Sequence, residues 1–181
     1  TDKRGHLTGR LIVLHDITAR MRAETALMQA RAAEQAVLQR EMNVARNIQI
    51  SLLPQAVPHI PGLDVVCLSE PAREVGGDWY GYYELPPTQQ NPRGGYALAV
   101  GDVSGKGIPA ALYMAVSTTM LAAKAPFVPD PVQLLTEMNA ALHPYMSPTR
   151  MNAALCYLRL EPDSPRGYKV YIVNAGLVAP I

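Results

Sequence analysis

The chain has 181 residues, 49% of them apolar, which is enough for one ordinary domain with an additional segment. Lys and Arg total 16 against 15 Asp and Glu, so the net charge of +1 gives no electrostatic reason to expect nucleic acid or an anionic membrane surface as a partner. No uninterrupted apolar run reaches the roughly 18 residues that a membrane span needs. We therefore expect this chain to contact neither nucleic acid nor a membrane.

The first predicted elements are a strand and a long helix. Gly9–Asp16 is an apolar run of strand length, and Thr18 follows it. Strong helix formers then dominate from Ala19 to Leu53, and Pro54 ends the pattern. A helix of about 35 residues is roughly 50 Å long. One small domain cannot bury such a helix along its whole length.

Part of this helix should therefore pair with a second helix. Apolar residues at spacings of 3 and 4 form a seam along it, namely Met28, Leu38, Met42, Ala45 and Leu52. The same seam also carries Arg31, Gln35 and Gln49, which weaken a strict heptad pattern. We favour a two-stranded parallel signalling helix, with a solvated connector as the alternative.

Beyond Pro54 the pattern predicts an α+β domain. The predicted strands are Leu63–Glu70, Asp78–Leu85, Tyr96–Asp102, Met151–Leu160 and Tyr168–Asn174, and the predicted helices are Pro109–Lys124 and Pro131–Tyr145. Each helix carries proline in its first turn, where the missing N–H costs nothing. Strands followed by two helices and then by strands indicate a layered α+β domain rather than βαβ repeats.

Two aspartates are the main candidates for chemistry. Asp78 in EVGGDWYGYYELP and Asp102 in YALAVGDVSGKG each follow glycine in a strand-like run, 24 positions apart. If Asp78 begins one strand and Asp102 ends its antiparallel neighbour, the two meet at one edge of the sheet. Their carboxylates suit Mg²⁺ or Mn²⁺, and the surrounding glycines allow the backbone to approach a ligand closely. An Asp after Gly is also a common turn pair, so the residues alone leave both interpretations open.

Other chemistries are disfavoured. GDVSGKG is not a P-loop, because Gly107 stands where Ser or Thr must follow Lys106. Ser104 lacks a recognisable base, and the four histidines have no ligand spacing. Cys67 and Cys156 show no zinc or redox pattern, so we interpret them as buried thiols. We therefore expect a cytoplasmic location, for the chain itself or as the cytoplasmic part of a longer sensor protein.

Several motifs occur in a specific order between Ile48 and Gly176: SLLPQ, EPAREVGGDWY, GDVSGKGIPAALYMA and NAG. This order resembles the bacterial PP2C-like serine/threonine phosphatases of the sporulation-protein-E and sigma-factor-regulator type. The stretch GRLIVLHDITARMRA, residues 9–23, is similar to the last strand of a PAS sensor domain with its Asp-Ile-Thr exit motif. The two resemblances imply the end of a PAS domain at 1–18, a helical linker at 19–53 and the N-terminal portion of a phosphatase domain at 54–181.

The phosphatase resemblance implies a two-layer antiparallel β-sandwich flanked by helices, with two Mn²⁺ or Mg²⁺ ions at one edge. Members of this family remove phosphate from serine or threonine of an anti-sigma-factor antagonist, and an upstream sensor controls them through a helical linker. For this chain the resemblance implies a phosphorylated regulatory protein as substrate and a homodimer formed through the linker helix. The alternative is a degenerate or truncated phosphatase-like module that dimerises and binds a phosphorylated partner.

The resemblance also implies roles for individual residues. By motif position, Asp102 would bridge both metals and the Val103 backbone carbonyl would ligate one of them. Asp78 would contribute to the same centre, directly or through water. A metal pair of this kind lowers the pKa of a bridging water, so no protein nucleophile is required.

Substrate binding is expected in the loop that follows Asp102. Gly105 and Gly107 would leave room for the substrate, and the Lys106 ammonium would meet its phosphate. The chain departs from the family pattern at Leu177, where the family usually has histidine. The family also has further strands and an Asp-Gly pair beyond the position of Ile181, so a protein that ended at Ile181 would lack one ligand of the metal site.

Overall fold

The computed structural model describes residues 3–5, 13–69, 75–89, 91–164 and 167–178. The chain divides into two compact units, 1–41 and 42–181, and each is described by itself. Helix α1, Thr18–Leu52, begins in the first unit and ends in the second. The remaining elements are β1 (Trp79–Leu85), β2 (Gly95–Val103), α2 (Ile108–Lys124), α3 (Pro131–Met146), a 3₁₀ turn (Ser147–Thr149), β3 (Ala153–Ser164) and β4 (Gly167–Ala175).

The four strands form one antiparallel sheet in the order β1-β2-β3-β4. The register is defined by Trp79 opposite Gly101, Gly101 opposite Leu155, and Leu155 opposite Ala175. Because side chains alternate along each strand, one face of the sheet packs against α2 and α3. This arrangement confirms the predicted α+β fold class. The second sheet of the expected sandwich is not formed by the residues that the structure describes.

The hydrophobic core lies between the sheet and the two helices. Tyr157 of β3, Met114 of α2 and Leu134 of α3 are all fully buried in it. Burying a large apolar side chain contributes about 1.5–3 kcal/mol relative to leaving it exposed. In β1, Trp79 is buried in this core and Tyr83 packs against it, whereas Tyr80 lies on the opposite face of the sheet.

Helices α2 and α3 begin in different ways. Helix α2 follows Gly107, which caps it without a side-chain hydrogen bond, and carries Pro109 in its first turn. Helix α3 follows Asp130, whose side chain accepts a hydrogen bond from the Val132 N–H at 2.8 Å. Such a cap satisfies one of the N–H groups that the first turn leaves unpaired.

Helix α1 contributes to the second unit only through its last turns. Residues 18–41 are exposed throughout, whereas Ala45 and Leu52 are half-buried and Gln49 is buried beside Val75 and α2. The C-terminal part of the predicted seam therefore packs within its own unit. In the parts of the chain that the structure describes, no helix combines the length and the apolar character needed to cross a membrane.

One predicted strand, Leu63–Glu70, is wrong over its described residues. Residues 64–69 form no strand, and Leu63 makes only an isolated bridge to Ile60. A pattern of strand-forming residues is not sufficient here because the segment has no neighbouring strand with which to pair. The predicted strand Gly9–Asp16 falls largely outside the described residues, and its described part, 13–16, is not in a strand.

Candidate functional site

The structure brings the two candidate aspartates side by side. The pairing of Trp79 with Gly101, continued by one residue, sets Asp78 opposite Asp102. The backbone pairing extends one position further, because the Val103 N–H donates to the Gly77 carbonyl at 3.2 Å. Both aspartates line a cavity of about 310 Å³ that opens to solvent. The two aspartates therefore lie next to each other at one edge of the sheet, as expected from the sequence.

The electrostatics of this pair favour a cation. Burial raises the pKa of the Asp78 carboxyl above its ordinary value. The negative charge of Asp102 and a hydrogen bond between the two carboxyl groups raise this pKa further. Like charges directly opposite each other in an antiparallel pair are unfavourable. A positive ion between them would relieve the repulsion.

Close packing of the backbone explains why a glycine precedes each aspartate. A Cβ atom at Gly77 would overlap the carbonyl oxygen of Val103, and a Cβ atom at Gly101 would overlap the indole of Trp79. The Val103 carbonyl oxygen accordingly lies directly against Gly77, one residue before Asp78. The backbone of β2 and the segment before β1 thus approach each other more closely than side chains would allow.

The oxygen atoms at this site are of the chemical type that binds hard divalent cations. Carboxylate and backbone carbonyl oxygens are the ligands that Mg²⁺ and Mn²⁺ prefer, and Mg²⁺ often uses one or two carboxylates and keeps several waters. The candidate donors are Asp78, Asp102 and the nearby Val103 carbonyl. Across the described residues, no group of three or more His, Cys, Asp or Glu side chains is placed to hold a metal ion.

Leu177 lines the same cavity as the two aspartates. The side chain of Asn174 holds the turn that carries it: its Oδ1 accepts the Leu177 N–H at 3.0 Å, and its Nδ2 donates to the Leu177 carbonyl at 2.9 Å. Gly176 occupies the left-handed region in this turn, with φ 91°. The role of Asn174 in this turn was not predicted from the NAG motif, although an Asn shortly before a Gly is a turn signal.

A coil segment before β1 forms another wall of the cavity, through Cys67, Leu68 and Ser69. This segment lies close to Tyr82 on the outer face of the sheet. Burial first, and then the neighbouring Cys67 and Tyr80, raise the pKa of Tyr82 to about 12. Residues 67–69, which were predicted as part of a strand, thus line the cavity without joining the sheet.

The predicted substrate-binding residues lie in the loop between β2 and α2. Lys106 is exposed, and Gly105 and Gly107 have φ values of 95° and 74°, which favour glycine. Two hydrogen bonds of 2.8 Å fix one side of the loop: the Ser104 N–H donates to the Asn152 carbonyl, and the Ser104 Oγ accepts the Asn152 N–H. Lys106 does not line the cavity that holds the aspartates.

The fold is similar to that of the SiaA-PP2C domain of Pseudomonas aeruginosa. The TM-score is 0.52 at 21% sequence identity, and the match covers 80% of this chain and 70% of that domain chain. A similarity at this level of identity shows the fold, and it defines the fold of this chain as PP2C-like.

Sequence comparison finds a similarity to one family. Residues 92–181 match the family model described as Stage II sporulation protein E (SpoIIE). This part of the chain is therefore similar to the SpoIIE family.

Two relatives match about half of the chain. Phosphoserine phosphatase RsbU of Bacillus subtilis (strain 168) is 32% identical over 99 residues, which are 55% of this chain and 28% of RsbU. Protein IcfG of Synechocystis sp. (strain ATCC 27184 / PCC 6803 / Kazusa) is 29% identical over 101 residues, which are 56% of this chain and 15% of IcfG. The chain thus matches less than a third of the length of either relative.

Proposed function

We propose that this chain carries a metal-dependent serine/threonine phosphoprotein phosphatase centre. The observation that carries the proposal is the position of Asp78 opposite Asp102, where both residues line an open cavity. The match of residues 92–181 to the SpoIIE family model supports it, as does the similarity to RsbU, a phosphoserine phosphatase. A phosphate monoester carries two negative charges near neutral pH, so its hydrolysis needs positive charge at the site.

The proposal assigns metal binding to some residues and phosphate binding to another. Asp102 would lie between two Mn²⁺ or Mg²⁺ ions, with the Val103 carbonyl on one ion and Asp78 on the same centre directly or through water. When bound, such an ion pair neutralises the phosphate and lowers the pKa of a water molecule. Lys106, exposed beside the N-terminus of α2, would attract the phosphate, because both the ammonium and the helix end favour anions.

The proposed substrate is a phosphorylated regulatory protein of the anti-sigma-factor antagonist type. The cavity that holds the two aspartates opens to solvent, and this openness supports a protein substrate. A phosphoserine or phosphothreonine presented on a folded partner needs this open approach. An enclosed pocket would select small molecules instead.

Control of the site would come through α1. We place the end of a PAS sensor domain at 1–18 and a dimerising linker at 19–53. The exposed apolar residues of the seam between Met28 and Leu38 support self-association through this helix. A sensor upstream could then act on the site through the last turns of α1, which pack within the second unit.

Release of phosphate from a phosphoserine peptide, with and without Mn²⁺, tests the proposed activity. The full chain should release phosphate only with the metal, and Asp102→Asn should reduce release to the level seen without metal. Asp64→Asn removes the charge of an exposed aspartate outside the site and is the matched control. Release that survives in Asp102→Asn would contradict the proposal.

A second candidate function is a non-catalytic module that binds a phosphorylated partner. The observation in its favour is that only two carboxylates meet at the cavity, with no third His, Cys, Asp or Glu ligand among the described residues. Such a module would bind the phosphoserine peptide without releasing phosphate. The same assay, combined with a binding titration of the peptide, separates the two functions.

A further inference from the structure

Gln49 makes an unusual contact for a residue of a linker helix. Within α1, all of whose residues are described, it is the one buried side chain, at 8% exposure. Its Nε2 donates to the Gly76 carbonyl at 2.6 Å, and its Oε1 accepts the Gly76 N–H at 3.1 Å. One side-chain amide thus satisfies both backbone groups of a residue 27 positions later in the chain.

Gly76 lies two residues before Asp78. Neither Gly76 nor Gly77 has a side chain that could hold this part of the backbone in place. The next residue, Gly77, pairs with Val103 through the hydrogen bond to its carbonyl. Val75 on the other side is buried in the groove between α1 and α2. A shift of Gly76 therefore changes the position of Asp78 relative to Asp102.

We infer that Gln49 is a positioning residue that couples the end of α1 to the Asp78–Asp102 pair. This inference rests on the proposed function, because it assigns a control point to the same metal centre. The Gln49 amide fixes the height and the rotation of the helix relative to Gly76, since both hydrogen bonds require one orientation of the amide plane. A rotation or a slide of α1 would break both bonds and release the segment that carries Asp78.

The residue type is informative. An apolar residue at position 49 could fill the groove, but it would leave the Gly76 N–H and carbonyl without partners. A glutamate could still accept the N–H, but its carboxylate would face the Gly76 carbonyl oxygen. Glutamine alone among residues of this size offers a donor and an acceptor side by side in a plane. The polar residue that interrupts the predicted heptad seam thus has a specific partner.

The test uses the full chain with Gln49→Leu, Gln49→Glu and the control Gln29→Leu, which makes the same replacement at an exposed position of α1 outside the seam. Exchange of the Gly76 amide hydrogen is measured in metal-free protein by NMR, and Mn²⁺ affinity is measured by calorimetry. Gln49→Leu should accelerate the exchange and weaken Mn²⁺ binding about tenfold, because both hydrogen bonds that hold Gly76 are lost. Phosphate release at saturating Mn²⁺ should recover to within about threefold of the unchanged chain, because positioning affects assembly of the site rather than the chemical step.

Gln49→Glu retains one of the two bonds and should give a smaller change in the same direction, which keeps the test decisive if Gln49→Leu folds poorly. Unchanged Mn²⁺ affinity in both Gln49 variants, or an equal loss in Gln29→Leu, would overturn the inference. If the unchanged chain binds no Mn²⁺, the proposed function is wrong. The exchange of the Gly76 amide in metal-free protein still decides whether Gln49 holds the segment before Asp78.

Discussion

At the scale of single residues, the main feature of the candidate site is a pair of like charges that the fold holds side by side. Asp78 and Asp102 lie opposite each other in an antiparallel pair, an arrangement that costs stability in the absence of a cation. The backbone imposes this arrangement through the register of β1 and β2 and through glycines at 77 and 101. Sites that sacrifice stability in this way are typical of function.

Gly77→Ala tests whether close backbone packing sets the geometry of the pair. The added methyl group would overlap the Val103 carbonyl oxygen, so the segment before β1 must move away from β2. We expect a loss of about 1–3 kcal/mol in the free energy of unfolding, and weaker Mn²⁺ binding. Thermal unfolding and Mn²⁺ calorimetry measure the two effects.

Gly62→Ala is the control for this substitution. Gly62 has a positive φ, 79°, but no atom lies within 4 Å of an added Cβ, and the residue does not line the cavity. Its substitution should cost stability through backbone strain while Mn²⁺ binding stays unchanged. Unchanged Mn²⁺ binding in Gly77→Ala would mean that backbone packing does not set the geometry of the carboxylates.

The sequence predicted the meeting of the two aspartates but not the contacts around them. A spacing of 24 residues across two strand-like runs permits a hairpin, and a hairpin sets positions 78 and 102 opposite each other. The contact between Gln49 and Gly76 could not be predicted, because the two residues lie 27 positions apart. A polar residue in a helix seam is also compatible with a solvent-exposed face. The Asn-x-Gly signal marks a turn at Asn174, but it does not reveal that the side chain of Asn174 binds the backbone of Leu177.

At the scale of elements, an ion pair joins α2 and α3. Lys124 Nζ lies 2.6 Å from Glu137 Oε2, and Gln133 Nε2 donates to Glu137 Oε1 at 2.9 Å. These hydrogen bonds, from Lys124 first and Gln133 second, lower the pKa of Glu137, and the charge of Lys124 lowers it further. Both ends of the ion pair are about a third exposed, so water screens it.

Glu137→Gln should destabilise the chain only slightly and in a manner that depends on pH. Because the pKa of Glu137 is lower in the folded chain than its ordinary value of 4.5, its contribution is complete above that value. The contribution is lost as the pH falls through the lowered pKa. The melting temperatures of the unchanged and Glu137→Gln chains should therefore differ at about pH 7 and converge in acid. A difference that grows on acidification would contradict this sign.

Helices were more predictable than strands in this chain. Proline and helix-forming residues define α1, α2 and α3 locally, and the predicted boundaries agree with the structure within one residue. A strand needs a partner, and the predicted strand at 63–70 has none among the described residues. Strand β3 continues through Pro162, which lies opposite Tyr168 in the regular register, and a register shift follows between Pro162 and Ser164.

At the scale of the whole molecule, the proposed dimer assigns self-association to the first part of α1. The seam residues Met28 and Leu38 are exposed, whereas those in the last turns of α1 pack within the second unit. Association should therefore depend on the stretch from Met28 to Leu38. Leu38→Glu would insert a charge into an apolar helix interface and should convert a dimer to a monomer. Sedimentation velocity measures the change.

Ala33→Glu is the matched control for this experiment. It introduces the same charge on the same exposed part of α1 but away from the seam. The control should sediment as the unchanged chain does. A monomeric unchanged chain at all accessible concentrations would contradict the two-stranded linker.

Calorimetric titration of Mn²⁺ into the full chain and into Asp78→Asn, Asp102→Asn and Asp64→Asn tests the central claim most directly. We expect the unchanged chain and Asp64→Asn to bind Mn²⁺ with equal affinity. Asp102→Asn should abolish binding and Asp78→Asn should weaken it, because these carboxylates supply the oxygens of the site. Binding of equal strength in all four chains would contradict a metal centre built on Asp78 and Asp102.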